Sequence, residues 1–416
     1  PGPRHQQHQV LVLRVAQPVR PPGAEPFVTR GLAKGSRAIW GIRVGLALAC
    51  AGLAAGCGTQ TATVTGSSPP PVTVPLSTSL VTAQGTWAIA VMGGSAASHN
   101  NFWQLFARPA GGGRWSLVTP EGVADNGGLV AAGTGTSLTV GFRPSQNLAY
   151  SPLATSTDTG KNWTPGLLDA ALAGAPDAIA VSPPGRALAL LQDGTIQAAP
   201  TAGAAAAGQW TPLTTLKALA ASAPGRSCGL TGVQAVSFGP DNDPMAAGSC
   251  VRPGVAGVFT ETGGTWRLAG LVLPAGFGGD QVQVLGLAAD PGGDVALLLA
   301  GKSLLAAWWN GTRWTVSDPV AAGTLGATGF GPGGSAWVLV GGGRAETIGG
   351  PGGSWQALPL VPPGTATLAP PGTGSAGGSY DALAVSGSKL TVWQLGPGAW
   401  VKVQLITVPI VYGSSG

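Results

Sequence analysis

The sequence predicts an all-β protein in which seven four-stranded antiparallel blades close into a ring, and three observations predict it. Seven tryptophans, Trp115, Trp163, Trp210, Trp266, Trp314, Trp355 and Trp400, each follow a small, mostly Gly-rich turn, at spacings of 48, 47, 56, 48, 41 and 45 residues. Between them recur pairs of alternating apolar runs joined by Pro/Gly turns. The 70 glycines and 36 prolines of the 416 residues fall between short runs of Val, Leu, Ala and Trp, as in a chain of many strands and tight turns. A four-strand unit recurring every roughly 40–50 residues is one blade of a β-propeller, so seven units predict a closed ring.

The elements follow in chain order. Residues 1–29 are Arg-, Gln- and Pro-rich and stay unassigned: an over-long start site or a disordered leader accounts for them. In residues 30–56 a positive stretch (Arg30, Lys34, Arg37, Arg43) precedes the apolar run Val44 to Gly56. That run is too short to span a bilayer and matches the hydrophobic region of a signal peptide. Leu53-Ala54-Ala55-Gly56-Cys57 resembles the bacterial lipobox, which implies a lipid on Cys57 and a membrane anchor on the extracytoplasmic face. An ordinary secretory signal with an incidental cysteine is the alternative. Residues 57–72, rich in Thr, Ser and Pro, read as a flexible, semi-extended tether, and residues 73–416 as the propeller.

Charge and cysteine usage agree with this division. The net charge of +5 comes from the first 56 residues, which hold seven basic residues and one acidic. The remainder is nearly neutral, so no basic footprint for nucleic acid is visible. Once Cys50 leaves with the signal and Cys57 carries lipid, Cys228 and Cys250 remain. An even pair in an oxidising compartment predicts a disulfide, with two buried free thiols as the alternative.

Within the blades, Ala178 to Leu191, Val284 to Leu298, Gly326 to Val340 and Tyr380 to Trp393 each read as an inner hairpin whose turn glycine supplies positive φ. Strands nearest the axis should alternate small residues. Each turn-Trp should start or end an outer strand, its indole covering the gap between neighbouring blades.

Ser156, Asp158, Gly160 and Trp163 stand in the pattern Ser/Thr-x-Asp-x-Gly-x-x-Trp, which resembles the Asp-box of bacterial-neuraminidase-type repeats. Gly112, Gly263, Gly311 and Gly352 repeat the glycine three residues before Trp, and Glu261 stands in for the Asp. The resemblance implies a sialidase-like propeller fold in which Asp158 is a turn residue: its carboxylate accepts backbone N–H groups, Gly160 takes positive φ and Trp163 packs beneath.

The chemistry such a fold could carry is thin. A sialidase-type centre needs three arginines, a Tyr–Glu pair and an acidic acid/base. The chain after Cys57 has nine arginines but only Tyr150, Tyr380 and Tyr412, with Glu121, Glu261 and Glu346. Phe142-Arg143-Pro144 is a partial match to the family's arginine motif. His99 is the single histidine after the signal, and no Cys/His cluster has metal-ligand spacing. Asp241, Asp243 and the Asp290–Asp294 stretch read as turn carboxylates, with Ca²⁺ at Asp241 and Asp243 as the alternative. Of Trp308 and Trp309, adjacent strand positions put at least one in the core. The expectation is a membrane-anchored lipoprotein whose propeller binds a protein or glycan ligand outside the membrane, with no cofactor, metal or catalytic residue assigned. A glycan-active enzyme on the same fold is the alternative.

Overall fold

The computed structural model describes residues 78–93, 101–120, 128–142, 151–164, 170–172, 176–201, 209–290, 293–372 and 378–409. The expected leader, signal, Cys57 and tether lie outside the described residues, as do Arg143, Tyr150, Glu121, His99 and Tyr412.

Seven four-stranded antiparallel sheets form, each from strands consecutive in the chain. Blade 1 is β1 (Ser79–Thr82), β2 (Gly85–Gly93), β3 (Asn101–Pro109) and β4 (Ser116–Leu117). Blade 2 is β5 (Leu129–Thr134), β6 (Ser137–Phe142), β7 (Ser151–Ser156) and β8 (Ala170–Leu172); blade 3 is β9 (Pro176–Val181), β10 (Ala187–Leu191), β11 (Thr195–Ala199) and β12 (Thr211–Thr215). Blade 4 is β13 (Leu230–Phe238), β14 (Pro244–Cys250), β15 (Ala256–Thr262) and β16 (Thr265–Leu268). Blade 5 is β17 (Val282–Asp290), β18 (Gly293–Ala300), β19 (Ser303–Trp309) and β20 (Trp314–Val316), with the short β21 (Val320–Ala321) also on β19. Blade 6 is β22 (Leu325–Phe330), β23 (Ala336–Val340), β24 (Arg344–Ile348) and β25 (Gln356–Ala357). Blade 7 is β26 (Thr365–Ala369), β27 (Asp381–Ser386), β28 (Lys389–Leu395) and β29 (Trp400–Thr407).

Blade packing explains why the middle strands are apolar on both faces. In β18, Val295 and Leu297 join the core shared with blade 6, while Ala296 and Leu298 join the core shared with blade 4. Among the described residues there are seven such cores, one for each pair of neighbouring blades, including blades 7 and 1. The ring is therefore closed. Inner strands converge at the axis, where Thr78 N–H donates to the Thr328 carbonyl (3.0 Å) and the Thr78 and Thr367 hydroxyls meet at 2.8 Å.

Three local readings are refined. The interval between Trp210 and Trp266, the longest of the six and so expected to hold an insertion, contains two helices, α1 (Leu216–Ala221) and α2 (Ala223–Cys228). The Thr215 hydroxyl caps α1 by accepting from Ala218 N–H (3.1 Å), and Ser222 caps α2 by accepting from Gly225 N–H (3.2 Å). The helices cross so closely at Gly225 that a Cβ there would lie 2.0 Å from the Leu219 carbonyl oxygen. A disulfide joins Cys228, at the end of α2, to Cys250, at the end of β14, with Cα atoms 5.3 Å apart. Second, Tyr380 to Trp393 covers β27 and β28, the second and third strands of blade 7 rather than its inner hairpin. The inner strand, β26, is separated from β27 by the long Gly/Pro/Ser-rich stretch 370–380, so no tight-turn signal joins them. Third, Asp294 is not an exposed turn carboxylate: it is the second residue of β18, opposite Ala289 and Trp309, and only 1% of it is accessible.

Candidate functional site

Five of the seven turn-tryptophans lie at or immediately before the start of an outer strand; Trp266 is the second residue of β16, and Trp163 precedes β8 by seven residues, next to an isolated bridge between Thr155 and Thr164. Their indoles reach back to the preceding blade. The Nε1–H of Trp163 donates to the Val118 carbonyl (3.1 Å), Trp314 to Ala269 (3.1 Å), Trp355 to Asp318 (3.1 Å) and Trp400 to Pro359 (3.0 Å). Each is an amphipathic staple, its ring in the inter-blade core and its one donor satisfied by a backbone carbonyl.

The turn before Trp163 shows how the repeat is built. Ser156 Oγ accepts from Gly160 N–H (2.9 Å) and donates to Asp158 Oδ1 (2.9 Å), which in turn accepts from Asn162 N–H (2.9 Å). Those bonds, with the backbone of Asn162 contributing most, hold the Asp158 carboxyl below its ordinary value. Positive φ falls on Thr159 (63°) as well as Gly160 (80°), and a Cβ on Gly160 would lie 2.6 Å from the Val118 side chain. Other blades reach the same end with other residues. The Glu261 carboxylate accepts from Gly264 N–H in blade 4. In blade 5 Asn310 Oδ1 accepts from the N–H groups of Thr312 (3.1 Å) and Arg313 (3.0 Å). In all three turns the side-chain oxygen is occupied by the turn itself.

The remaining candidates are dispersed. Of the eight described arginines none lies on an innermost strand, and the charged residues on those seven strands are Asp177 and Asp290 alone. Tyr380 precedes β27 in blade 7, its phenol pushed up to about 12 by burial, whereas Glu261 and Glu346 lie on the third strands of blades 4 and 6. Asp243 Oδ2 accepts from the Thr262 hydroxyl (2.6 Å), and among the described residues no three His, Cys, Asp or Glu side chains converge as a metal site. Trp308 is buried and donates to the Gly334 carbonyl (2.7 Å), while half-buried Trp309 lies 5.5 Å from the ring of Trp314.

Two features lie apart from the turn motifs. The first is the Asp294 carboxylate, buried between blades 4 and 5 with no hydrogen-bond partner for either oxygen among the described residues. It faces the blade 4 turn, since a Cβ on Gly239 would lie 3.8 Å from Asp294 Oδ2. Burial alone pushes its carboxyl up to about 7. The second is the outer rim of blades 6 and 7. The outer strand β29 has eight residues, against two to five in the other six blades. Val401, Val403 and Leu405 on it and Leu360 beside it are 47–70% accessible, four of the six exposed large hydrophobics among the described residues. An open cleft of about 450 Å³ lies alongside, lined by Pro359, Leu360, Pro362, Trp393 and Trp400. Concentration of exposed apolar side chains marks an interaction surface more than scattered ones do.

Comparison with solved structures agrees with the fold. The periplasmic gluconolactonase PpgL of Pseudomonas aeruginosa superposes with a TM-score of 0.50 at 13% identity, covering 78% of this chain and 97% of that one. YCF48 bound to D1 peptide covers 74% of this chain and 91% of its own at 15% identity and a TM-score of 0.43. PorZ, a surface component of the type-IX secretion system of Porphyromonas gingivalis, gives 13% identity, 79% and 45% coverage and a TM-score of 0.41. At such identities the likeness concerns the β-propeller alone. No protein-family model and no curated protein matches the chain.

Proposed function

We propose that this chain is an Asp-box-type propeller, held by a lipid on Cys57 at the extracytoplasmic face of the membrane, that serves as a binding platform for a protein partner. The observation that carries the reading is the apolar rim of blades 6 and 7, set beside innermost strands with almost no ionisable side chains. A partner that covers Leu360, Val401, Val403 and Leu405 along this edge removes exposed apolar surface from water, each side chain contributing on the order of 1 kcal/mol. The two cleft tryptophans supply the large rigid rings typical of interface hot spots. Asp158, Glu261 and Asn310 serve the turns, not a reaction.

The reading is tested in two arms. Replacing Cys57 with Ser should move the protein from membrane to soluble fractions and abolish labelling by a fatty-acid analogue; unchanged retention and labelling would remove the anchor from the proposal. For the rim, cross-linking in intact envelopes should recover a partner with the wild-type protein and lose it with Leu360→Glu/Leu405→Glu at an unchanged melting temperature. Equal recovery by both proteins would rule out the rim as the contact face.

A further inference from the structure

The junction between blades 7 and 1 differs from the other six. Each of those six is bridged by the chain itself, for example residues 269–281 between blades 4 and 5. Among the described residues blades 7 and 1 have no such bridge, and because every sheet is built from consecutive strands, no described strand is shared across the seam either. One backbone bond crosses it, from Gly93 N–H to the Gly387 carbonyl (3.1 Å), and side chains do the rest of the joining. Arg108 Nη1 donates to Asp381 Oδ2 at 2.5 Å, the one ion pair among the described residues. Trp115 Nε1–H donates to the same oxygen at 2.7 Å, and the Arg108 guanidinium lies 5.5 Å from the Trp115 ring centroid. The Gln404 amide takes the place of a strand, accepting from Trp115 N–H (2.9 Å) and donating to the Trp115 carbonyl (2.7 Å).

At four of the other junctions an indole meets a backbone carbonyl, which nothing can neutralise or withdraw. At the seam it meets a carboxylate that is 1% accessible and whose second oxygen has no partner among the described residues. Arg108 and Trp115 thus both depend on one atom, Asp381 Oδ2. Losing either charged partner leaves the other buried and uncompensated, which makes the cluster come apart as a whole rather than bond by bond. A seam with no covalent bridge also gains the most chain freedom on opening. We infer that the Arg108–Asp381–Trp115–Gln404 cluster is a latch, and that the propeller opens locally at the seam of blades 7 and 1 while blades 3–5 stay folded.

Native-state hydrogen exchange of the intact protein in low urea tests this directly. Amides of β2, β3, β27 and β28 should exchange through an opening with a small urea dependence, while those of β14, β15, β18 and β19 follow global unfolding. A single slope for all seven blades would overturn the inference in the wild-type protein, with no variant needed. Asp381→Asn should then accelerate exchange in the seam strands by roughly tenfold or more, with β18 and β19 unchanged, and Gln404→Leu should do the same more weakly. Trp314→Phe, which removes a staple at a junction the chain bridges, should leave the seam strands as they were. Uniform acceleration by Asp381→Asn would show a single cooperative unit and no latch.

Discussion

Replacing Asp294 with Asn should stabilise this protein at alkaline pH and hardly change it at acid pH. The carboxyl is 1% accessible, unpartnered among the described residues, and pushed from its ordinary 3.8 up to about 7 by burial. A folded-state value above the unfolded one means the native state holds the proton more tightly. The associated stability is fully present below pH 4 and is lost as pH rises through about 7. At about 1.4 kcal/mol per pH unit, the full difference is on the order of 4 kcal/mol. Asn keeps the shape and a buried polar group but cannot ionise. Urea unfolding of the soluble domain at pH 5 and pH 8 measures the effect as the difference between wild type and variant, which cancels every other titrating group. The variant should gain roughly 2 kcal/mol at pH 5, where the loss is under way, and roughly 4 kcal/mol at pH 8, where it is complete. A difference that is the same at both pH values, or larger at pH 5, would refute the account of an isolated buried acid.

Three other perturbations have defined outcomes. Asp158→Ala should lower the melting temperature at pH 7 and do so less at pH 3. Its carboxyl is held below the ordinary value, so its contribution is present above about pH 4 and fades as pH falls. Converting Cys228 and Cys250 together to Ser frees a loop with a sequence separation of 22 and should cost about 3 kcal/mol by chemical denaturation. Trp400→Phe keeps the ring in the inter-blade core but strands the Pro359 carbonyl, a loss of about 1 kcal/mol in the unfolding midpoint; no loss would deny the indole N–H its role.

What the sequence made legible follows from what repeats. The turn-Trp positions recur once per blade because each junction poses the same problem, a gap between twisted sheets that a large ring with one donor fills. Blade count and hairpins followed from that period. The extra length of the longest interval signalled an insertion but not its secondary structure, although Thr215, Ser222 and Gly229 carry the cap signals of α1 and α2. Asp294 was misread because Asp290-Pro-Gly-Gly-Asp294 has turn composition, and only the ladder with Trp309 reveals that its last residue is already inside the sheet. The seam had no local signal at all: Arg108 and Asp381 are 273 residues apart, and Trp115 and Gln404 289. Nor did alternation along β29 reveal its exposure, which depends on where the ring ends.

The staples all point the same way, each blade supplying the indole that finishes the one before it. Such a ring has a head and a tail at every joint, so a duplicated internal blade arrives carrying its own fastening for its predecessor and presenting a carbonyl to its successor. Gaining or losing a unit in the interior is then a conservative event for the joints. The two ends are different, because Trp115 must find its acceptor in whichever blade comes last. Blade number in this architecture is free to drift from the middle, while its first and last units are bound to change together.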